Sequence, residues 1–120
     1  MKVGLRARRA LRLFGAVLAG AAMSGSASAS PTILDWGQIS FIGFGWNAGD
    51  TRVTLGGTVQ NPDNCSFPDA YMVEGSAAWA QVFSSALLTA YSLGHPVRVV
   101  IEGCTGAGRP KIIGVDLQRS

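Results

Sequence analysis

Histidine occurs once in this chain, at His95, cysteine only twice, and charged side chains make up just 14% of the residues. A lone imidazole at the turn before Pro96, with no nucleophile motif around it, suits a capping or solvent-facing role. It gives no Ser-His-Asp arrangement to read. Cys65 and Cys104 lack the CxxC spacing of a redox pair and have no histidines near them to complete a zinc site. The glycine-rich stretches Gly43-Phe44-Gly45 and Gly103-Cys104-Thr105-Gly106-Ala107-Gly108 lack the lysine and the strand-to-helix context of a phosphate loop. Asp63, Asp69 and Glu74 do not have the spacing of a calcium loop. No catalytic residue, metal or cofactor is therefore expected, and the chain reads as a non-enzyme.

Long apolar runs are scarce as well. The one candidate, Leu13 to Met23, is well short of the roughly 20 residues that cross a bilayer. It follows a basic start (Lys2, Arg6, Arg8, Arg9, Arg12) and leads to the small residues Ala27-Ser28-Ala29. This is the pattern of a secretory signal peptide spanning residues 1–29, cleaved between Ala29 and Ser30. Arg12 interrupts the apolar pair that a twin-arginine signal would carry, so general secretion is expected, with a secreted or periplasmic product and no stable membrane anchor.

Removing residues 1–29 takes away five of the ten Lys and Arg and none of the seven Asp and Glu, leaving five cations against seven anions, a net charge of −2. The basic character of the whole chain belongs to the leader. Arg52, Arg98, Arg109, Lys111 and Arg119 are too few for a continuous nucleic-acid footprint, so no nucleic-acid partner is expected. Residues 30–120 amount to one domain. A domain this small gains from a staple, and an even cysteine count in an exported chain predicts a Cys65–Cys104 disulfide. Closing a loop of about 40 residues is worth ~4 kcal/mol in the chain-entropy model.

Periodicity sets the element order. After a lead-in from Ser30 to Asp35, Trp36 to Trp46 reads as a long first strand. Ile39 and Phe41 lie on one face of it, Ile42, Phe44 and Trp46 on the other, so both faces are expected to be covered. Gly43 and Gly45 mark a bulge or bend. Thr51 to Gln60 is a second strand, with Val53 and Leu55 on one side, and Asp69 to Glu74 a short third one in which Tyr71 and Val73 share a face. Between Ser76 as N-cap and Gly94 as left-handed C-cap, a helix of about 17 residues is expected. Its buried stripe would be Trp79, Val82, Phe83, Ala86, Leu87, Ala90 and Leu93. Val97, Val99 and Ile101 alternate along a fourth strand. Lys111 to Leu117 is the fifth, with Ile113, Val115 and Leu117 in phase. Strand, strand, strand, helix, strand, strand is the order of a mainly β, five-stranded OB-fold barrel with one amphipathic helix.

Leu88, Tyr91, Gly94 and the run Pro96-Val97-Arg98-Val99 carry a family resemblance. The chain resembles the B subunit of subtilase cytotoxin and related bacterial toxins with five B subunits, which share a helix ending at Gly-x-Pro-Val-Arg before an aliphatic strand. The resemblance implies an OB-fold, a homo-oligomer in the form of a pentameric ring, and recognition of sialylated cell-surface glycans. It aligns that family's sugar-contacting serine, glutamine and tyrosine with Trp36, Val59 and Ile101, none of which keeps the polar group. An OB-fold uses the face of strands two and three, with the loops joining strands one to two and four to five. On that face Trp46, Arg52, Tyr71 and Arg109 are the ligand-binding candidates, aromatic platforms with cations suited to a sugar or an acidic group. A secreted binding module with a glycan or protein partner is the leading expectation. An exported structural protein without carbohydrate recognition is the alternative.

Overall fold

A computed structural model describes residues 30–46 and 49–119. The expected leader and its cleavage residue Ala29 lie outside them. The domain is mainly β with one helix. Its strands are β1 (Thr32–Ile33), β2 (Ile39–Phe44), β3 (Thr51–Leu55), β4 (Tyr71–Val73), β5 (Val97–Cys104) and β6 (Pro110–Leu117), and α1 (Ala80–Leu93) falls between β4 and β5. They form a six-stranded mixed sheet in the order β1-β5-β6-β4-β3-β2, antiparallel except where β4 runs parallel to β6 at Met72 and Lys111. The ladder is open, with β1 and β2 at its edges, and this corrects the expected closed five-stranded barrel.

The extra strand, β1, lies in the expected lead-in, ahead of the expected first strand. Thr32 and Ile33 pair with Ile101 and Val100, and Gly37 bridges to Val97 on the same neighbour. Two residues later Ile39 pairs with Leu55 on the opposite edge. The segment thus changes partner around Gly37 and Gln38, whose side-chain Nε2 donates to the Gly94 carbonyl at 2.9 Å. A two-residue strand such as β1 has no periodicity of its own to betray it.

Bulges reset which residues face inward. A register shift between Ile39 and Phe41 leaves Ile39 buried and Ile42 against the core, while Phe41 and Phe44 are exposed. The complete covering expected for β2 is therefore not found. In β6 another shift sets Ile112 opposite Ile101 and Gly114 opposite Val100, skipping Ile113. Ile112 is consequently buried with Val115 packed beside the core, whereas Leu117, expected in phase, is exposed. β5 keeps the expected alternation, with Val97, Val99 and Ile101 all sealed. β3 stops at Leu55 because Gly56-Gly57 bends the chain, with Gly57 at φ 98°.

The helix is shorter and buries a narrower stripe than its sequence suggests. It begins at Ala80 behind two turns (Ala77 N to Glu74 O and Ala80 N to Ala77 O, both 3.0 Å), so Ser76 is not its cap and Trp79 occupies that place without a side-chain bond. Ala80, Leu87 and Ala90 are buried and Phe83 is packed against them; Trp79, Val82 and Leu93 are exposed. At 100° per residue Val82 and Leu93 lie roughly a quarter-turn or more from the line through Ala80, Phe83 and Leu87. The C-terminus ends as expected, with Gly94 at φ 70° and the His95 amide donating to the Ala90 carbonyl at 3.0 Å. Cys65 and Cys104 are joined in a disulfide, their Cα atoms 5.6 Å apart, tying the end of β5 to the loop before β4.

Candidate functional site

The loops at one end of the sheet bring three of the four candidates together. Gly45, Trp46, Asp50, Arg52, Met72, Ala107 and Arg109 line one cleft between the β2–β3 and β5–β6 connections. The Gly45 amide donates to the Asp50 carbonyl at 3.0 Å to close the first connection. Trp46 follows with φ 82° and is 92% exposed. A bulky side chain held at positive φ costs on the order of 1–2 kcal/mol, and nothing in the core repays it here.

Arg52 lies on β3 opposite Gly43 of β2. Its guanidinium carbon is 5.8 Å from the Phe41 ring centroid and 6.0 Å from that of Trp46. Gly43 makes this path available, since a Cβ there would come within 2.8 Å of both Arg52 Nη2 and the Phe41 ring. Arg52 Nε is buried, and among the described residues it has no hydrogen-bond partner and no carboxylate forms an ion pair with Arg52. The result is a cation oriented by two aromatic faces with donor capacity to spare.

Arg109 is differently placed. Its Nε and Nη2 donate to the two oxygens of Asp69 at 2.5 and 3.0 Å, and its guanidinium lies 4.8 Å from the Phe67 ring centroid. The hydrogen bond from Arg109 is the largest influence on Asp69 and holds its carboxyl below the ordinary 3.8. The Thr105–Gly108 turn presents Arg109, with Thr105 N donating to Arg109 O at 2.8 Å and Gly108 N to Thr105 O at 2.9 Å. Arg109 thus shapes one wall as a neutralised pair, and Arg52 is a cation that no carboxylate among the described residues pairs directly.

Tyr71 is not part of this site. It is 3% exposed in the core, where its hydroxyl accepts from the Gln60 amide at 2.7 Å and burial pushes its pKa up. Met72, one residue along and on the other face of β4, reaches the cleft instead. Asp50 joins it too, its Oδ1 accepting from the Gly75 amide at 2.8 Å. The turn chemistry around Asp50 signalled a hairpin and concealed this second role. Nothing in the sequence marked Met72.

The three positions aligned with sugar contacts fare unequally. Ile101 is sealed in the core and Val59 packs against it, while Trp36 is partly exposed with the Arg98 guanidinium 5.0 Å from its ring centroid. Arg98 is itself held by Asp116, its cross-strand neighbour, at 2.8 Å. Among the described residues no group of three metal-ligating side chains converges, and no helix is long and apolar enough to cross a membrane. Comparison of the chain with protein-family models, characterised proteins and solved structures finds no match.

Proposed function

We propose that this chain is an exported binding module of the OB type, similar to toxin B subunits, which receives the acidic end of a glycan between Trp46 and Arg52. The fold part of this reading is supported by the path from β1 to β2. The two edges of the sheet are joined by only five residues, Leu34–Gln38, the connection a strand makes when it serves both sides of a small barrel. The parallel pairing of β4 with β6 and the position of α1 between β4 and β5 point the same way.

The observation that carries the ligand is Arg52. Its guanidinium lies against the Phe41 and Trp46 rings, which favour a cation held in place over one swinging freely in water. A carboxylate set against that guanidinium would gain a charge-assisted bond, with the exposed Trp46 indole covering the sugar ring behind it. The cleft there holds about 80 Å³ of space open to water. That accommodates a carboxylate-sized group better than a whole sugar, so the ring itself rests on Trp46.

Titration calorimetry with N-acetylneuraminic acid, glucuronic acid and lactose tests the reading. Binding of the acids but not of lactose alone is expected, weakened at least about tenfold, ~1.4 kcal/mol, by Arg52→Gln. Silence of the folded protein toward both acids, or unchanged affinity in Arg52→Gln, would overturn it.

A further inference from the structure

β2 is an edge strand with a cation lying across it. It closes against β3 through its odd-numbered residues: the Gly45 amide bonds Asp50, and with Gly43 opposite Arg52 and Phe41 opposite Thr54 the same alternation runs back along the hairpin. The backbone N–H and C=O groups of Ile42 and Phe44 therefore point to the free side, where no strand of the sheet pairs with them. Among the described residues no backbone group outside the ladder bonds them either.

The two faces flanking that edge differ. On one, Arg52 reaches over Gly43 toward the free side, since its Nη2 occupies the space that a Cβ on Gly43 would need. On the other, Phe44 is exposed beside a cleft of about 370 Å³ that it lines with Thr51, Ala80, Gln81 and Ser84. The hydrogen bond between Ser84 and Thr51 sets this side of α1 under the hairpin, and Leu88 and Tyr91, further along the same helix row, are exposed. No residue of α1 is charged. One face of the edge thus offers a cation, and the other offers apolar and uncharged groups.

From this we infer that the β2 edge receives an extended segment of a partner protein, paired antiparallel as an added strand, with a glutamate or aspartate between two apolar residues. Bonded to Ile42 and Phe44, such a segment places its middle residue opposite Gly43, about 4.8 Å away, with its side chain on the Arg52 face. Gly43 has no side chain to stand between that carboxylate and the guanidinium, so a charge-assisted bond forms across it. The two flanking residues turn to the other face, toward Phe44 and the helix row. A second copy of this chain does not supply such a segment. Asp116 is the only acid set between two apolar residues in the described strands, and Nε and Nη2 of Arg98 already hold it. Because the segment draws on the same guanidinium as the glycan reading, peptide and acidic sugar exclude each other, but neither reading depends on the other.

The probe is a blocked peptide, Thr-Thr-Val-Glu-Val-Thr-Thr, followed by calorimetry and by amide hydrogen exchange in NMR. In the free protein the Ile42 and Phe44 amides should exchange fast while Gly43 and Gly45, bonded across the hairpin, are protected. The peptide should slow the first pair. Arg52→Gln should weaken binding of this peptide about tenfold and leave a glutamine version, the weaker binder, unaffected. Methylating both valine nitrogens, which removes the donors facing β2, should abolish binding. No binding, binding that survives methylation, or an equal effect of Arg52→Gln on both peptides would overturn the proposal. So would Ile42 and Phe44 amides protected without peptide in a concentration-dependent way, the mark of an edge that pairs copies of this chain. Peptide binding with silence toward acidic sugars overturns the sugar reading alone. Sugar binding with silence toward the peptide overturns this one alone.

Discussion

Single residues show how little a side chain's type says about its role without its surroundings. Arg52 and Arg109 are both arginines at the mouth of one cleft, yet Asp69 holds the second by two hydrogen bonds, whereas the first has the Phe41 and Trp46 rings against it and, among the described residues, no ion pair. The Asp69 pair makes a pH prediction. Its carboxyl titrates below 3.8 in the folded protein because of the Arg109 hydrogen bond, so the stabilisation is complete above 3.8 and disappears as pH falls through the lowered value. Thermal unfolding of Asp69→Asn should accordingly converge with that of the parent protein at the most acid pH and lie below it above 3.8. Parallel curves throughout would mean that the pair, whose carboxylate is half exposed, contributes nothing. Tyr71 shows the opposite error. An aromatic residue on the right strand looked like a platform, but the pleat turned it inward.

Elements were legible to the extent that their signals are local. The Gly94 cap, the alternation of Val97, Val99 and Ile101 and the turn between β5 and β6 depend on a few neighbouring residues, and they form where the pattern places them. The helix face was less legible, because seven apolar residues spread over a wide arc do not say which part of that arc meets the sheet. α1 settles on β2, β4 and β6 through Ala80, Phe83, Leu87 and Ala90, with Ser84 Oγ and Thr51 Oγ1 sharing a hydrogen bond at 2.6 Å. Substituting Leu87, fully buried, by alanine should cost ~2–5 kcal/mol in urea denaturation. Val82→Ala, at 68% exposure, should remain within about 0.5 kcal/mol. Comparable losses at the two sites would restore the wide buried stripe.

For the whole molecule the disulfide joins stability to the site. Cys104 closes β5 just before the Thr105–Gly108 turn that presents Arg109, and Cys65 holds the loop in which Asp63 accepts from the Gly103 amide at 2.7 Å. The double substitution Cys65→Ser with Cys104→Ser should lower unfolding stability by ~4 kcal/mol, the loop-closure entropy returned to the unfolded chain. A loss under about 1 kcal/mol in denaturant titration would show that the unfolded ensemble is already restricted there.

The sequence by itself determined the inventory: a mainly β domain with one helix, the position of most strands, the helix terminus and the pairing of the only two cysteines. These follow from chemistry within a few residues, or from there being a single way to pair two thiols. The tertiary structure decided where the chain changes sheet edge at Gly37, which residues two bulges turn toward the core, and that Trp79 stands exposed while Tyr71 does not. Each depends on the register of strands distant in sequence, and a one-residue shift in register moves a side chain from the core face to the solvent.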